Sequence, residues 1–249
     1  KLSISYNKLS SIYGDVFLFL KNTLEHLELE HNIVSHLPDS LAQVVKLRHL
    51  SLAYNQLKEI SALPDRIQTL SLAGNFLTEI PSALQILRPG FIRYLDLSYN
   101  RTSSLLPSEF RDWSSSLTTI NLKGNRISQI YKNVFPATMP VREINLSFND
   151  LYYVHPQSFS NVSSSLHVLD SSSTLFSGYF PFEVDEGLVN LNWLSFDNND
   201  FHILKLSDLA QFPYLKYLNL DYNRIIDIFT DENYQNISIS NIRVTYNFI

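Results

Sequence analysis

Any chemistry in this chain would have to come from oxygen and nitrogen side chains, because its 249 residues include 24 acidic residues and 7 histidines but no cysteine. That absence removes thiolate zinc sites, cysteine nucleophiles, disulfide scaffolds and CxxC redox chemistry together. Serine, histidine and aspartate are plentiful, yet no GxSxG, P-loop or HExxH motif places them for nucleophilic, phosphate or metalloprotease chemistry. The residues therefore predict no catalytic group, no metal site and no cofactor, and the chain reads as non-enzymatic. Two other chemistries remain. Four Asn-x-Ser/Thr sequons, at Asn100, Asn145, Asn161 and Asn236, are acceptors for N-linked glycans. A high aromatic content, with 14 Tyr, 16 Phe and 2 Trp, supplies side chains that anchor protein interfaces when exposed beside charges.

Composition narrows the setting of these groups. The chain is 45% hydrophobic and 13% aromatic, too apolar for a disordered polymer. Its formal net charge of −5 argues against nucleic acid as a partner, since such modules cluster Lys and Arg. No run reaches the 18 or more apolar residues of a membrane span, so membrane attachment is expected only through segments outside this chain.

The elements that must position these residues follow from a repeat. Aligned on an asparagine after LxxLxLxx, the chain gives Asn7, Asn32, Asn55, Asn75, Asn100, Asn125 and Asn149, then Thr174 in the same place, then Asn199, Asn223 and Asn247. Spacings run from 20 to 25 residues. LRHLSLAYNQL (47–57), LTTINLKGNRI (117–127) and LKYLNLDYNRI (215–225) are clear copies. The fourth and sixth motif residues alternate with polar ones, so they share the buried face of a short strand. The asparagine amide is expected to bond open backbone groups of neighbouring coils, forming a ladder along the array. One coil cannot bury its own apolar face, so stability must come from stacking.

The repeat resembles the leucine-rich repeat family, in its extracellular type of about 24 residues with a Phe ten positions after the asparagine. Phe17, Phe110, Phe135 and Phe159 stand at that offset. The resemblance implies an α/β solenoid, a horseshoe of about 11 coils with a parallel concave β-sheet and a mostly irregular convex side. Lys1 lies inside a motif and Ile249 two residues after Asn247, without the cysteine-bearing caps of such proteins. The expectation is a single array over 1–249, an internal piece of a longer ectodomain. Two coils depart from the pattern. Asn55 to Asn75 spans only 20 residues, with Pro64 in a tight outer arc, and the coil LHVLDSSSTLF carries Ser171 and Thr174 for Leu and Asn. That coil is expected to be under-packed, with Phe176 and GYFPF (178–182) filling the space.

Motif positions three, five and seven are expected to face the concave surface, with positions two and eight at its rims. Tyr54, Tyr94, Tyr99, Trp193, Asp197, Tyr217, Asp221 and Tyr222 are the protein-binding residues this register selects. Another concave group, His26, Glu28, Glu30, His31, Arg48, His49 and Tyr54, puts two histidines in one column, although solvated surface histidines are commoner than metal ligands. Asp96 and Asp170 share position five three coils apart, roughly 14 Å by strand spacing and too far for a glycosidase pair. Asn161 and Asn236 fall on the outer arc, where a glycan is tolerated; Asn145 falls at mid-sheet, where a glycan would obstruct the concave face; Asn100 is a ladder residue and should be buried. Extracellular, cell-surface localisation follows, with a protein ligand or homophilic partner. The runs VREINLSFNDLYYVHPQSFS and SSSLHVLDSSSTLFSG are most similar to arthropod chaoptin-like adhesion proteins. Toll-like receptor ectodomains are the second resemblance, and an intracellular scaffold is the reading that the sequons disfavour.

Overall fold

A computed structural model describes residues 1–178, 188–230 and 239–249. Eleven short strands, one per repeat, pair side by side in chain order into one parallel sheet. They are β1 (Leu2–Ser3), β2 (His26–Glu28), β3 (His49–Ser51), β4 (Thr69–Ser71), β5 (Tyr94–Asp96) and β6 (Thr119–Asn121). Then come β7 (Glu143–Asn145), β8 (Val168–Asp170), β9 (Trp193–Ser195), β10 (Tyr217–Asn219) and β11 (Asn241–Arg243). The register is the one the repeat demands: His26 pairs with His49, Leu27 with Leu50 and Glu28 with Ser51, so equal motif positions form columns across the sheet.

Apolar residues one, four and six of each motif build the core. Leu47, Leu50 and Leu52 are buried, as are Leu95, Leu97, Leu218 and Leu220. Each fully buried Leu contributes about 1.5–3 kcal/mol relative to exposure, and each is enclosed by its equivalents in the coils on either side. The four phenylalanines at the ten-residue offset are buried too. Phe110, Phe135 and Phe159 run in file, with ring centroids 5.7 and 5.5 Å apart.

The asparagine ladder closes the backbone. Asn55 Nδ2 lies 2.8, 3.0 and 3.2 Å from the carbonyl oxygens of Leu29, Leu52 and Ala53, and its Oδ1 accepts the Val34 amide at 3.0 Å. Asn75, Asn100, Asn125, Asn149 and Asn223 repeat the arrangement. Asn100 is buried in this way, so its sequon is closed in the folded chain. At Thr174 a hydroxyl replaces the amide, lying 2.7 Å from Asn199 Oδ1 and 3.1 Å from the Ser171 carbonyl.

The coil with Ser171 is filled from its neighbour. Position six of the next coil is Phe196, and Phe176 packs edge-on against it with centroids 5.6 Å apart. Phe176 also approaches Phe201 at 6.4 Å. All three rings and Ser171 are buried, so large and small residues alternate across the coil boundary. Of the segment GYFPF, Gly178 ends a short strand pair and residues 179–182 lie outside the described residues.

On the convex side, the helical part of the α/β architecture consists, among the described residues, of 3₁₀ turns. The longest is Leu206–Gln211. Short parallel pairs, such as Gln129–Ile130 with Tyr153–Val154, link some outer arcs. The 20-residue coil from Asn55 to Asn75 has no helical turn, and Pro64 is buried in its arc.

Candidate protein-binding surface

The concave face is built by what happens after each strand. Strand geometry ends at position five, where an Asp or Asn side chain folds forward onto the backbone of position seven. Asp96 Oδ1 accepts the Ser98 amide at 2.9 Å, Asn145 the Ser147 amide at 2.9 Å, and Asp170 the Ser172 amide at 3.0 Å. These local bonds are the ones short Asx side chains make at turns. Position eight then adopts the left-handed region in all eleven coils, with φ between 51° and 65°. Only Gly takes that conformation without steric cost, so the other residues there are held in it by the fold: in every coil but the last the amide donates to the position-seven carbonyl of the next coil, as Tyr54 to Ala73 and Ser173 to Asp197.

Where neighbouring coils both carry rings at this position, the rings stack along the column. Tyr6, His31 and Tyr54 stack with centroids 4.4 and 4.5 Å apart, and Tyr222 stacks on Tyr246 at 4.4 Å. Tyr54 lies over Gly74, where an added Cβ would come within 2.5 Å of the ring. Tyr99 covers Gly124 in the same way, at 2.6 Å. Lys123 extends over that glycine gap, with Nζ 4.8 Å from the Phe148 ring centroid and 6.0 Å from that of Tyr99.

The eight selected residues are not equally available. Tyr54, Tyr99 and Tyr222 are about half exposed, at 45%, 48% and 51%. Tyr94 is exposed at position three, and burial together with the Asp96 and Glu143 carboxylates holds its hydroxyl above the ordinary tyrosine range. Trp193 and Tyr217, partly exposed on adjacent strands, stack with centroids 5.7 Å apart and planes within 6°. Asp197 is partly exposed, and its carboxylate accepts from Ser195 Oγ and Asn219 Nδ2.

Asp221 departs from the expected surface position: it is 3% exposed. Arg243 Nε and Nη2 reach its Oδ2 at 2.8 and 2.6 Å, while the Thr245 amide and hydroxyl donate to Oδ1. Burial alone would raise the Asp221 pKa, but the Thr245 and Arg243 hydrogen bonds outweigh it and hold it below the usual carboxylate range. The position-seven expectation fails also at Ala53, Ala73, Ser98, Ser147 and Ser172, which are buried, and holds at Glu30, Lys123 and Asp197, which are partly exposed. The concave surface is therefore carried by positions three and five and by Glu30, Lys123 and Asp197 at position seven, with the aromatic file of position eight along one rim.

His26 and His49 do share a column, stacked with centroids 4.3 Å apart. Burial first and the neighbouring His26 second push the His49 pKa down. Lys1 Nζ is 2.6 Å from Glu28 beside them. Among the described residues no group of three or more His, Cys, Asp or Glu side chains is placed to hold a metal.

At mid-sheet a depression of about 630 Å³ opens between Tyr94 and Trp193. Thr119, Glu143 and Val168 from position three and Asn121, Asn145 and Asp170 from position five form its floor. Asn145 thus lies in a groove that the sequence placed only as mid-sheet. Asn161 is exposed on the convex side, its Nδ2 3.2 Å from the Phe135 carbonyl. Asn236 lies outside the described residues.

A family model described as "Leucine rich repeat" matches residues 1–57 and 92–151, and the eleven-strand sheet and asparagine ladder carry the same repeat along the array. The chain is a leucine-rich repeat protein. Relatives of this array include lumican of Bos taurus, 32% identical over 231 residues, covering 90% of this chain and 58% of lumican. Tsukushi of Gallus gallus is 28% identical over 229 residues, covering 89% and 60%. Leucine-rich repeat-containing G-protein coupled receptor 5 of Rattus norvegicus is 32% identical over 192 residues, covering 75% of this chain and 19% of the receptor. These relatives are extracellular leucine-rich repeat proteins, and the array spans less than two thirds of the length of each. A TLR13–ssRNA13 complex has the same fold, with a TM-score of 0.78 at 21% identity over 94% of this chain and 34% of that one. So does a chain of the latrophilin 3, Unc5D and FLRT2 octamer, at 0.65 and 18% identity over 90% and 76%. No helix among the described residues is long and apolar enough to cross a membrane.

Proposed function

We propose that this array is a non-enzymatic, protein-binding ectodomain segment that serves cell adhesion or cell-surface recognition, in the manner of chaoptin-like proteins. The observation that carries the reading is the stacked Trp193 and Tyr217 pair, partly exposed on the concave sheet beside Asp197. Stacking fixes both rings before a partner arrives, so little side-chain entropy is lost on binding, and such pre-ordered aromatics are the residues that dominate interface energies. The partner is a protein ligand or a second copy of the chain. Membrane attachment then belongs to segments outside it, and N-linked glycans are expected at Asn161 and Asn236. A glycan on Asn145 would occupy the mid-sheet groove and close it to a protein.

A Toll-like receptor ectodomain is the alternative within the same surface-recognition class, and a cytoplasmic signalling domain in the full-length precursor would decide for it. The adhesion reading is tested with beads coated in the protein and mixed with one another and with cells of the source tissue. Clustering or cell capture above that of uncoated beads supports it; inert beads in both mixtures overturn it.

A further inference from the structure

The groove between Tyr94 and Trp193 has a sign of charge. Its lining contains the carboxylates of Glu143 and Asp170 and, among the described residues, no lysine, arginine or histidine. Glu143 is exposed, and Asp170 spends only Oδ1 on the Ser172 amide. Neighbouring Lys and Arg side chains lie outside the lining. Lys123 lies over the position-eight rings on one rim, and Arg93 and Arg142, at position two, flank the strand starts outside the lining. Burial first, and the Asp96 and Glu143 carboxylates second, raise the Tyr94 hydroxyl at the groove wall.

The groove also has a length. Tyr94 and Trp193 are four strands apart, about 19 Å at the usual strand spacing, and an extended peptide of roughly six residues covers that distance. Glu143 stands two strands from each aromatic wall. Resting on the concave-face reading, we infer that the groove receives an extended basic segment of a partner polypeptide, with an Arg or Lys over Glu143 and Asp170 and the segment's ends against Tyr94 and Trp193. A cation there meets the two carboxylates, an attraction that strengthens as the groove is desolvated, while the aromatic walls two strands away pack against the segment's ends. Rim arginines on one side disfavour a long polycation lying across the whole face and favour a short basic insertion.

The test uses the blocked hexapeptide acetyl-Ala-Ala-Arg-Lys-Ala-Ala-amide, read by Trp emission. Of the 2 tryptophans only Trp193 lines the groove, Trp113 being buried. The expected result is a saturable change that weakens with added salt. A Glu143→Gln, Asp170→Asn double variant, which keeps the Asp170 Oδ1 acceptor, should bind about five-fold more weakly or worse with an unchanged melting temperature. Three outcomes overturn the inference: no saturable change, an affinity the double variant leaves intact, or saturation by the Glu-Glu counterpart peptide or a neutral tetrasaccharide instead. Bead capture separates this failure from failure of the adhesion reading. Capture without hexapeptide binding removes only the basic-segment inference, and hexapeptide binding without capture removes only adhesion.

Discussion

A single asparagine side chain per coil does the work that a helix or wide sheet does elsewhere. Asn55 Nδ2 reaches three carbonyls and its Oδ1 is the acceptor of the Val34 amide, so Asn55→Ala leaves that buried amide without its acceptor and should cost about 1–3 kcal/mol in urea unfolding. A loss under about 0.5 kcal/mol would mean that water replaces the ladder bonds. This role was legible in the sequence, because asparagine recurs at the end of the apolar pattern in every coil but that of Thr174. The left-handed turn just before it was not. Tyr, His, Phe, Ser, Asn and Gly all occupy position eight, and residue identity gives no hint of the positive φ they share. Gly124→Ala tests that turn: its Cβ must displace the Tyr99 ring, so stability should fall and the Tyr99 ring resonances should move in NMR spectra. His49 adds a pH dependence. Its folded pKa lies below the ordinary 6.5, so the unfolded chain binds the proton first, and stability present above pH 6.5 is lost as pH falls through the folded value. His49→Gln should flatten the decline of melting temperature as pH falls below 6.5; an unchanged slope would assign the decline to other groups.

Within a strand and its turn, alternation predicts correctly only while the strand lasts. Positions four and six are buried as period two requires, and positions three and five face the groove. Extending the same alternation puts position seven on the surface, but strand geometry stops at position five and the Asx bond draws the chain toward the turn. Small residues there, such as Ala53 and Ser147, are buried in consequence, and Asp221 is buried with Arg243 and Thr245 as partners. The phenylalanine file was readable from its ten-residue offset. The exchange of volume between Ser171 and Phe196 was not, since it depends on two coils read together. Leu146 sits in the position-six column next to that exchange and is buried. Leu146→Ala should cost about 2–5 kcal/mol of unfolding free energy, because flanking coils cannot collapse far into the vacancy. A cost below about 1 kcal/mol would show that the stack relaxes freely.

Across the whole molecule, stacking aligns equal positions into files, and recognition chemistry appears where a file carries aromatics or one sign of charge. Eleven in-register strands turn scattered residues such as Tyr94, Glu143 and Trp193 into one groove. The repeat made that alignment readable, whereas the groove's width, its acidic floor and the burial of its neighbours required side-chain geometry. Intact glycopeptide mass spectrometry of native-source protein should find a glycan on exposed Asn161 and none on buried Asn100. The concave face itself is tested most directly by cell capture with the Trp193→Ala, Tyr217→Ala double variant, compared with Tyr131→Ala away from the sheet. The concave variant should lose capture by about ten-fold or more, as removal of a central aromatic anchor does, with its melting temperature retained and Tyr131→Ala unaffected. Full capture by the concave variant would contradict recognition through this face.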